Sequence, residues 1–166
     1  NGRPGLCQFA AQGSIVDYNS IITRSESVFI DTAPIIYFIE AHETYGPLAK
    51  QLMEIISKGT ASAYTSVITL AEVLPVPLRT ENKLLATQFS EFIKNSDIFT
   101  LLPINTEIAE KSGELRANYP SLQAFDAMQL ATALFSEAKL FITNDKQLQQ
   151  VNDIDILVLK DYIPSS

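Results

Sequence analysis

Four acidic residues sit in apolar company. Asp31 closes the run Val28-Phe29-Ile30, and Glu72 lies inside Ile68-Thr69-Leu70-Ala71-Glu72-Val73-Leu74. Asp126 interrupts the greasy stretch from Leu122 to Phe135, and Asp145 follows Leu140-Phe141-Ile142-Thr143-Asn144. An ionised carboxylate among apolar neighbours is costly unless it is paired or binds a cation. Four of them suggest one shared site, and an oxygen-only ligand set suits a hard divalent ion, Mg²⁺ or Mn²⁺. A metal so held activates water and stabilises charge developing on a phosphodiester.

Each carboxylate also has an ordinary structural reading. Asp31 could cap the helix that Pro34 opens, and Asp145 the helical turn that follows it. Asp126 could be a dipole partner near a helix N-terminus. Glu72 is the hardest to explain this way, because Leu70, Ala71, Val73 and Leu74 surround it. The lone histidine, His42, beside Glu43, reads as a surface residue. Phe38, Phe89, Phe92, Phe125 and Phe135 fall at core spacing, and Tyr37 and Tyr64 read as structural.

The elements that must position these groups alternate. Short apolar strands are expected at Val28 to Asp31, Ala63 to Ser66, Ile98 to Leu102, Leu140 to Thr143 and Ile156 to Leu159. Between them run helices: one from Pro34 to Ile39, and one opened by Pro47 and stopped near Gly59. Ile68 to Leu74 is a short helix that Pro75 and Pro77 end. Glu81 to Lys94 is amphipathic, Thr106 to Asn118 is helical, and Leu122 to Ala138 is the most apolar and central helix. Lys146 to Gln150 makes a helical turn or two. Short buried strands separated by helices indicate a parallel sheet covered on both faces. Ligands of such sheets bind beyond the carboxyl ends of the strands, where Asp31 and Asp145 fall. Residues 1–26 show no sustained period and are expected to be a flexible N-terminal extension, leaving 27–166 as one domain.

Composition narrows the classes. A chain of 166 residues, 46% hydrophobic, can bury a real core. No apolar run approaches the ~20 residues that span a bilayer, and no signal-peptide pattern is present, so a cytoplasmic protein is expected. Cys7 is the single cysteine, which excludes an intrachain disulfide and a cysteine-based zinc site. The formal net charge of −7 argues against broad grip on nucleic acid, which needs Lys and Arg at phosphates. Lys50, Lys58, Arg79, Lys83, Arg116 and Lys146 remain available to guide a polyanion locally.

Taken together, Val28-Phe29-Ile30-Asp31-Thr32, Ser66 to Leu74, Phe125-Asp126-Ala127-Met128-Gln129-Leu130-Ala131-Thr132-Ala133 and Leu140 to Asp145 resemble the PIN domain, in particular the small VapC-like toxins. The resemblance runs from about Val28 to Tyr162. It implies a three-layer α/β/α sandwich with a central parallel sheet, and Mg²⁺- or Mn²⁺-dependent hydrolysis of RNA. It implies further that Asp31, Glu72, Asp126 and Asp145 form the catalytic, metal-binding quartet, with Thr32 and Thr143 supporting it and Asn144 at an often polar position. It also implies a small antitoxin partner and a homodimer. Two departures stand out: the N-terminal extension and the Pro75-Val76-Pro77 break. Other readings of the same resemblance are an RNA-processing nuclease outside a toxin–antitoxin system and a non-catalytic PIN-like binding module. A phosphatase with an aspartyl nucleophile, suggested by Phe29-Ile30-Asp31-Thr32, needs an acid two residues after Asp31, where Ala33 stands.

Overall fold

The computed structural model describes residues 14–163. Five strands make one all-parallel sheet in the order β3-β2-β1-β4-β5: β1 (Ser27–Ile30), β2 (Ser62–Ser66), β3 (Thr100–Leu102), β4 (Leu140–Thr143) and β5 (Asp155–Val158). The helices are α1 (Ile15–Arg24), α2 (Thr32–Ile39), α3 (Gly46–Ser57), α4 (Val67–Val73), α5 (Pro75–Arg79), α6 (Lys83–Asn95), α7 (Thr106–Asn118) and α8 (Ala124–Phe135).

Side chains of a strand alternate between its two faces, and this alternation divides the core. Val28, Ile30, Leu140, Ile142 and Leu157 join Ile35, Leu48, Leu52, Val73, Phe89 and Ile93 of α2, α3, α4 and α6. Phe29, Phe141, Ile156 and Val158 join Ile108 and Leu115 of α7 and Leu130 and Ala131 of α8. The Phe29 and Phe141 rings stack at 5.4 Å across the β1–β4 pair. The result is the expected three-layer sandwich, buried on both faces of the sheet. Chain order reverses at β1, whose neighbours are β2 on one side and β4 on the other. That is the switch point at which a crevice opens beyond the strand ends, and Asp31 is the first residue past β1.

Three expectations from the sequence are corrected. Residues 14–26 are not a flexible extension. Ser14 and Asp17 form a capping box on α1, and Tyr18 and Ile22, one turn apart, are fully buried in the core. The Tyr18 hydroxyl donates to the Leu48 carbonyl of α3 at 2.9 Å. Residues 1–13 of the expected extension lie outside the described residues. Secondly, Pro75 ends α4 but does not leave a break, because it occupies the first turn of α5, where its missing N–H has no helical partner to lose. Thirdly, Phe125 and Phe135 are exposed, since the buried stripe of α8 runs through Ala127, Leu130, Ala131 and Ala133. Gly59 stops α3 as expected. It takes φ +73°, and its N–H donates to the Ile56 carbonyl at 2.8 Å.

Candidate active site

Asp31 is 8% exposed and caps α2. Both its oxygens are held. The Thr32 backbone N–H donates to Oδ1 at 2.8 Å, and the Thr143 hydroxyl donates to Oδ2 at 2.7 Å. Thr143 is brought there by β4, which pairs in parallel with β1. The Asp145 N–H donates to the same Thr143 hydroxyl at 3.1 Å, so one buried threonine ties Asp31 to the Asp145 loop. Asp145 itself is exposed. It caps the 3₁₀ turn Lys146–Gln150, its Oδ1 accepting from the Gln147 N–H at 2.9 Å.

Glu72 comes from α4. Residues three apart on a helix share a face, so Thr69, which is buried, and Glu72 look the same way, back toward Asp31. The Thr32 hydroxyl donates a hydrogen bond to Glu72 Oε2. Asp126 is the third residue of α8, half-buried in the first turn, where the helix dipole favours a negative charge.

The electrostatics record the convergence. Burial pushes the Asp31 carboxyl up to about 7. Hydrogen bonds from Thr143 and Thr32 oppose the rise, and the negative charges of Glu72 and Asp126 add to it. Burial raises Asp126 to about 6, with Asp145 and then Glu72 adding repulsion. Each of the four therefore feels at least one of the others. Among the described residues, none of the ion pairs includes a member of the quartet, and no three His, Cys, Asp or Glu side chains are gathered closely enough to hold a metal ion as they stand. The site is an open acidic edge with its charge uncountered. Carboxylate oxygens in this state fit a hard divalent cation, with solvent completing the coordination.

Asn144 has a bracing role. Its Nδ2 donates to the Tyr37 hydroxyl at 3.0 Å, and its Oδ1 accepts from the Lys160 N–H at 2.9 Å. It thus ties the end of β4 to α2 and to the segment after β5. Sequence reasoning missed the polar layer below the carboxylates: Thr65, Ser66, Thr69 and Gln129, all buried. The available signal was Gln129 itself, a long amide on the helix otherwise judged the most apolar of the chain.

The PIN domain family model matches residues 28–154. No curated protein sequence matches. Among solved structures, VapBC2 from Rickettsia felis bound to a DNA fragment from its promoter is similar with a TM-score of 0.66 and 15% identity, over 80% of this chain and 98% of that one. A toxin–antitoxin complex from Klebsiella pneumoniae gives a TM-score of 0.54 and 23% identity, over 80% and 97%. VapC20 of Mycobacterium tuberculosis, a toxin that cleaves the sarcin–ricin loop, gives 0.62 and 17%, over 77% and 97%. These likenesses establish a shared fold. The family match spans most of the chain and contains all four acidic positions, and on that ground the protein belongs to the PIN domain family.

Proposed function

We propose that the protein is a Mg²⁺- or Mn²⁺-dependent endoribonuclease and the toxin of a toxin–antitoxin pair. The observation that carries this reading is the convergence of Asp31, Glu72, Asp126 and Asp145 at the sheet's switch point in a PIN-family chain. The four carboxylates are the proposed metal-binding and catalytic residues. A divalent ion bound there would supply Lewis acidity and an activated water. The chain's own residues do the rest. Thr143 and the Thr32 N–H hold Asp31 in one orientation, and the Thr32 hydroxyl holds Glu72. Asp145, on the solvent side, is the member nearest an arriving phosphodiester. Without a cation this edge repels phosphate, so substrate binding and metal binding are coupled.

RNA is the proposed substrate, single-stranded or looped. A narrow acidic edge admits one splayed strand, and a chain of net charge −7 lacks the basic surface to hold a duplex along many phosphates. The proposed antitoxin and homodimer contacts draw on exposed apolar side chains: Val76 and Leu78 of α5 and Leu84 of α6 are each more than half exposed, and helix-in-groove recognition uses such anchors. Among the described residues no helix is long and apolar enough to cross a membrane, which accords with a cytoplasmic site of action.

The deciding assay incubates pure protein with labelled RNA, with and without Mn²⁺ and EDTA, beside Asp31→Asn. Metal-dependent cutting that the variant lacks supports the reading. Cutting undiminished by EDTA, or equal in the variant, overturns it.

A further inference from the structure

Beneath the carboxylates lies a closed run of buried hydroxyls around a single buried amide. Gln129 is 1% exposed. A buried amide must satisfy an acceptor oxygen and two N–H donors, and this one does. Its Oε1 accepts from the Ser66 hydroxyl at 2.6 Å, and its Nε2 donates to Thr69 Oγ1 at 2.9 Å and to Thr32 Oγ1 at 3.2 Å.

The direction of every bond follows by elimination, starting from a group that can only accept. The Ile30 carbonyl takes the Thr65 hydroxyl proton at 2.9 Å. With that proton committed, Thr65 Oγ1 accepts from the Thr69 hydroxyl at 2.9 Å. Thr69, its own proton committed, can only accept from Gln129. The amide nitrogen must therefore face Thr69 and the amide oxygen must face Ser66, whose own oxygen is taken up by the Ile68 N–H at 3.1 Å. The second amide proton goes to Thr32 Oγ1. The Thr32 proton then goes to Glu72 Oε2, a charged and nearer acceptor than Thr69 Oγ1 at 3.4 Å.

We propose that Gln129 is a positioning residue: it fixes the Thr32 hydroxyl as a donor to Glu72 and so holds the Glu72 carboxylate at the site. The proposal rests on the nuclease reading above. Glu72 needs such a tether, because it has three rotatable bonds, is partly exposed, and stands close enough to Asp31 and Asp126 to repel both. The spacing suits the task. Asp126 and Gln129 are three apart on α8, and Thr69 and Glu72 are three apart on α4, so each helix presents one carboxylate and one tethering group on the same face. A single amide thereby locks α8, α4 and the start of α2 into one unit.

The test compares wild type with Gln129→Met, which fills the volume without polar atoms, Gln129→Glu, which lacks the amide donors, Thr32→Val, and the double variant Gln129→Met with Thr32→Val. Folding is followed by urea melts. The readouts are kcat and KM on a labelled linear RNA, and Mn²⁺ affinity by calorimetry without RNA. Loss of a group that orients ligands costs roughly 10–100-fold. Gln129→Met should lower kcat by about that range, weaken Mn²⁺ about tenfold, and leave KM within about twofold. The double variant should be no worse than Thr32→Val alone, because both changes cut the same tether. A purely structural role predicts losses that multiply. Folded Gln129→Met with wild-type kcat and Mn²⁺ affinity, or multiplying losses, overturns the proposal; if Gln129→Met does not fold, Gln129→Glu is read by the same criteria, alone and with Thr32→Val. Wild type that cuts no RNA would sink the ribonuclease reading instead, and the Mn²⁺ titrations would still decide whether Gln129 holds Glu72.

Discussion

Asp31 is buried, twice hydrogen-bonded and still raised to about 7 from an ordinary 3.8. Its proton is therefore bound more tightly in the folded chain than in the unfolded one. By linkage, the metal-free protein loses stability as pH rises from about 4 to 7, and the penalty is fully present above 7. Asp126, raised to about 6, acts in the same direction. Asp31→Asn removes the charge with little change of shape. It should abolish cleavage yet raise the metal-free protein's stability on the order of 1–3 kcal/mol at pH 8, with the gain fading by pH 4. Urea melts at the two pH values check this, and a variant no more stable at pH 8 than at pH 4 relative to wild type contradicts it. Thr143→Val leaves an Asp31 oxygen and the Asp145 N–H without their partner. It should cost about 1–3 kcal/mol, more at pH 8 than at pH 5, because the lost bond was lowering the Asp31 pKa. Its activity should fall without vanishing, since the carboxylates themselves remain.

At the scale of elements, α1 is the test of whether residues before β1 belong to the core. Tyr18 and Ile22 are fully buried against α3. Ile22→Ala should destabilise by about 2–5 kcal/mol, as large-to-small changes in a packed core do. Tyr18→Phe should cost about 1 kcal/mol, the worth of the single hydrogen bond to the Leu48 carbonyl. A chain beginning at Glu26 and as stable in urea as the full one would refute both. α5 makes the opposite point. Its five residues are capped by proline rather than by a side-chain hydrogen bond, and they carry Val76 and Leu78 into solvent. Replacing Val76, Leu78 and Leu84 by serine should leave RNA cleavage unchanged and weaken binding of the antitoxin, measured by calorimetry. Unaltered affinity would show that the antitoxin sits elsewhere.

For the whole molecule, net charge decides how the substrate is held. With 12 basic residues against 19 acidic ones, few counterions are displaced from a polyanion on binding. Cleavage should weaken as salt rises, but far less than the roughly 10³–10⁵-fold loss of affinity between 50 and 200 mM salt seen in duplex binders that contact many phosphates. It should stop with EDTA, and RNA should be cut faster than duplex DNA. A salt series on labelled hairpins, linear RNA and duplex DNA measures all three together, and faster cutting of the duplex would overturn the substrate assignment.

The chain alone determined its layers and its charged residues of interest. Strand and helix patterns are local, with period 2 or 3.6, so β1, β4, α7 and the acidic positions Asp31, Glu72, Asp126 and Asp145 were readable in order along the sequence. That Asp31 and Asp145 fall at one edge was readable too, because parallel strands deliver their carboxyl ends there. What only the tertiary structure decided depends on contacts between residues far apart in the chain. Ile15 to Arg24 carries Tyr18, Ile21 and Ile22 at helical spacing, but that face is buried only because α3 packs against it, with the Leu48 carbonyl accepting the Tyr18 hydroxyl proton. Phe125 and Phe135 look buried by hydrophobicity, yet the alanine-rich stripe of α8 faces the sheet and turns them outward. Gln129 reads as an oddity in an apolar helix until Ser66, Thr69 and Thr32, 60 to 97 residues away in the chain for two of its bonds, close around it and give each of its polar atoms a partner.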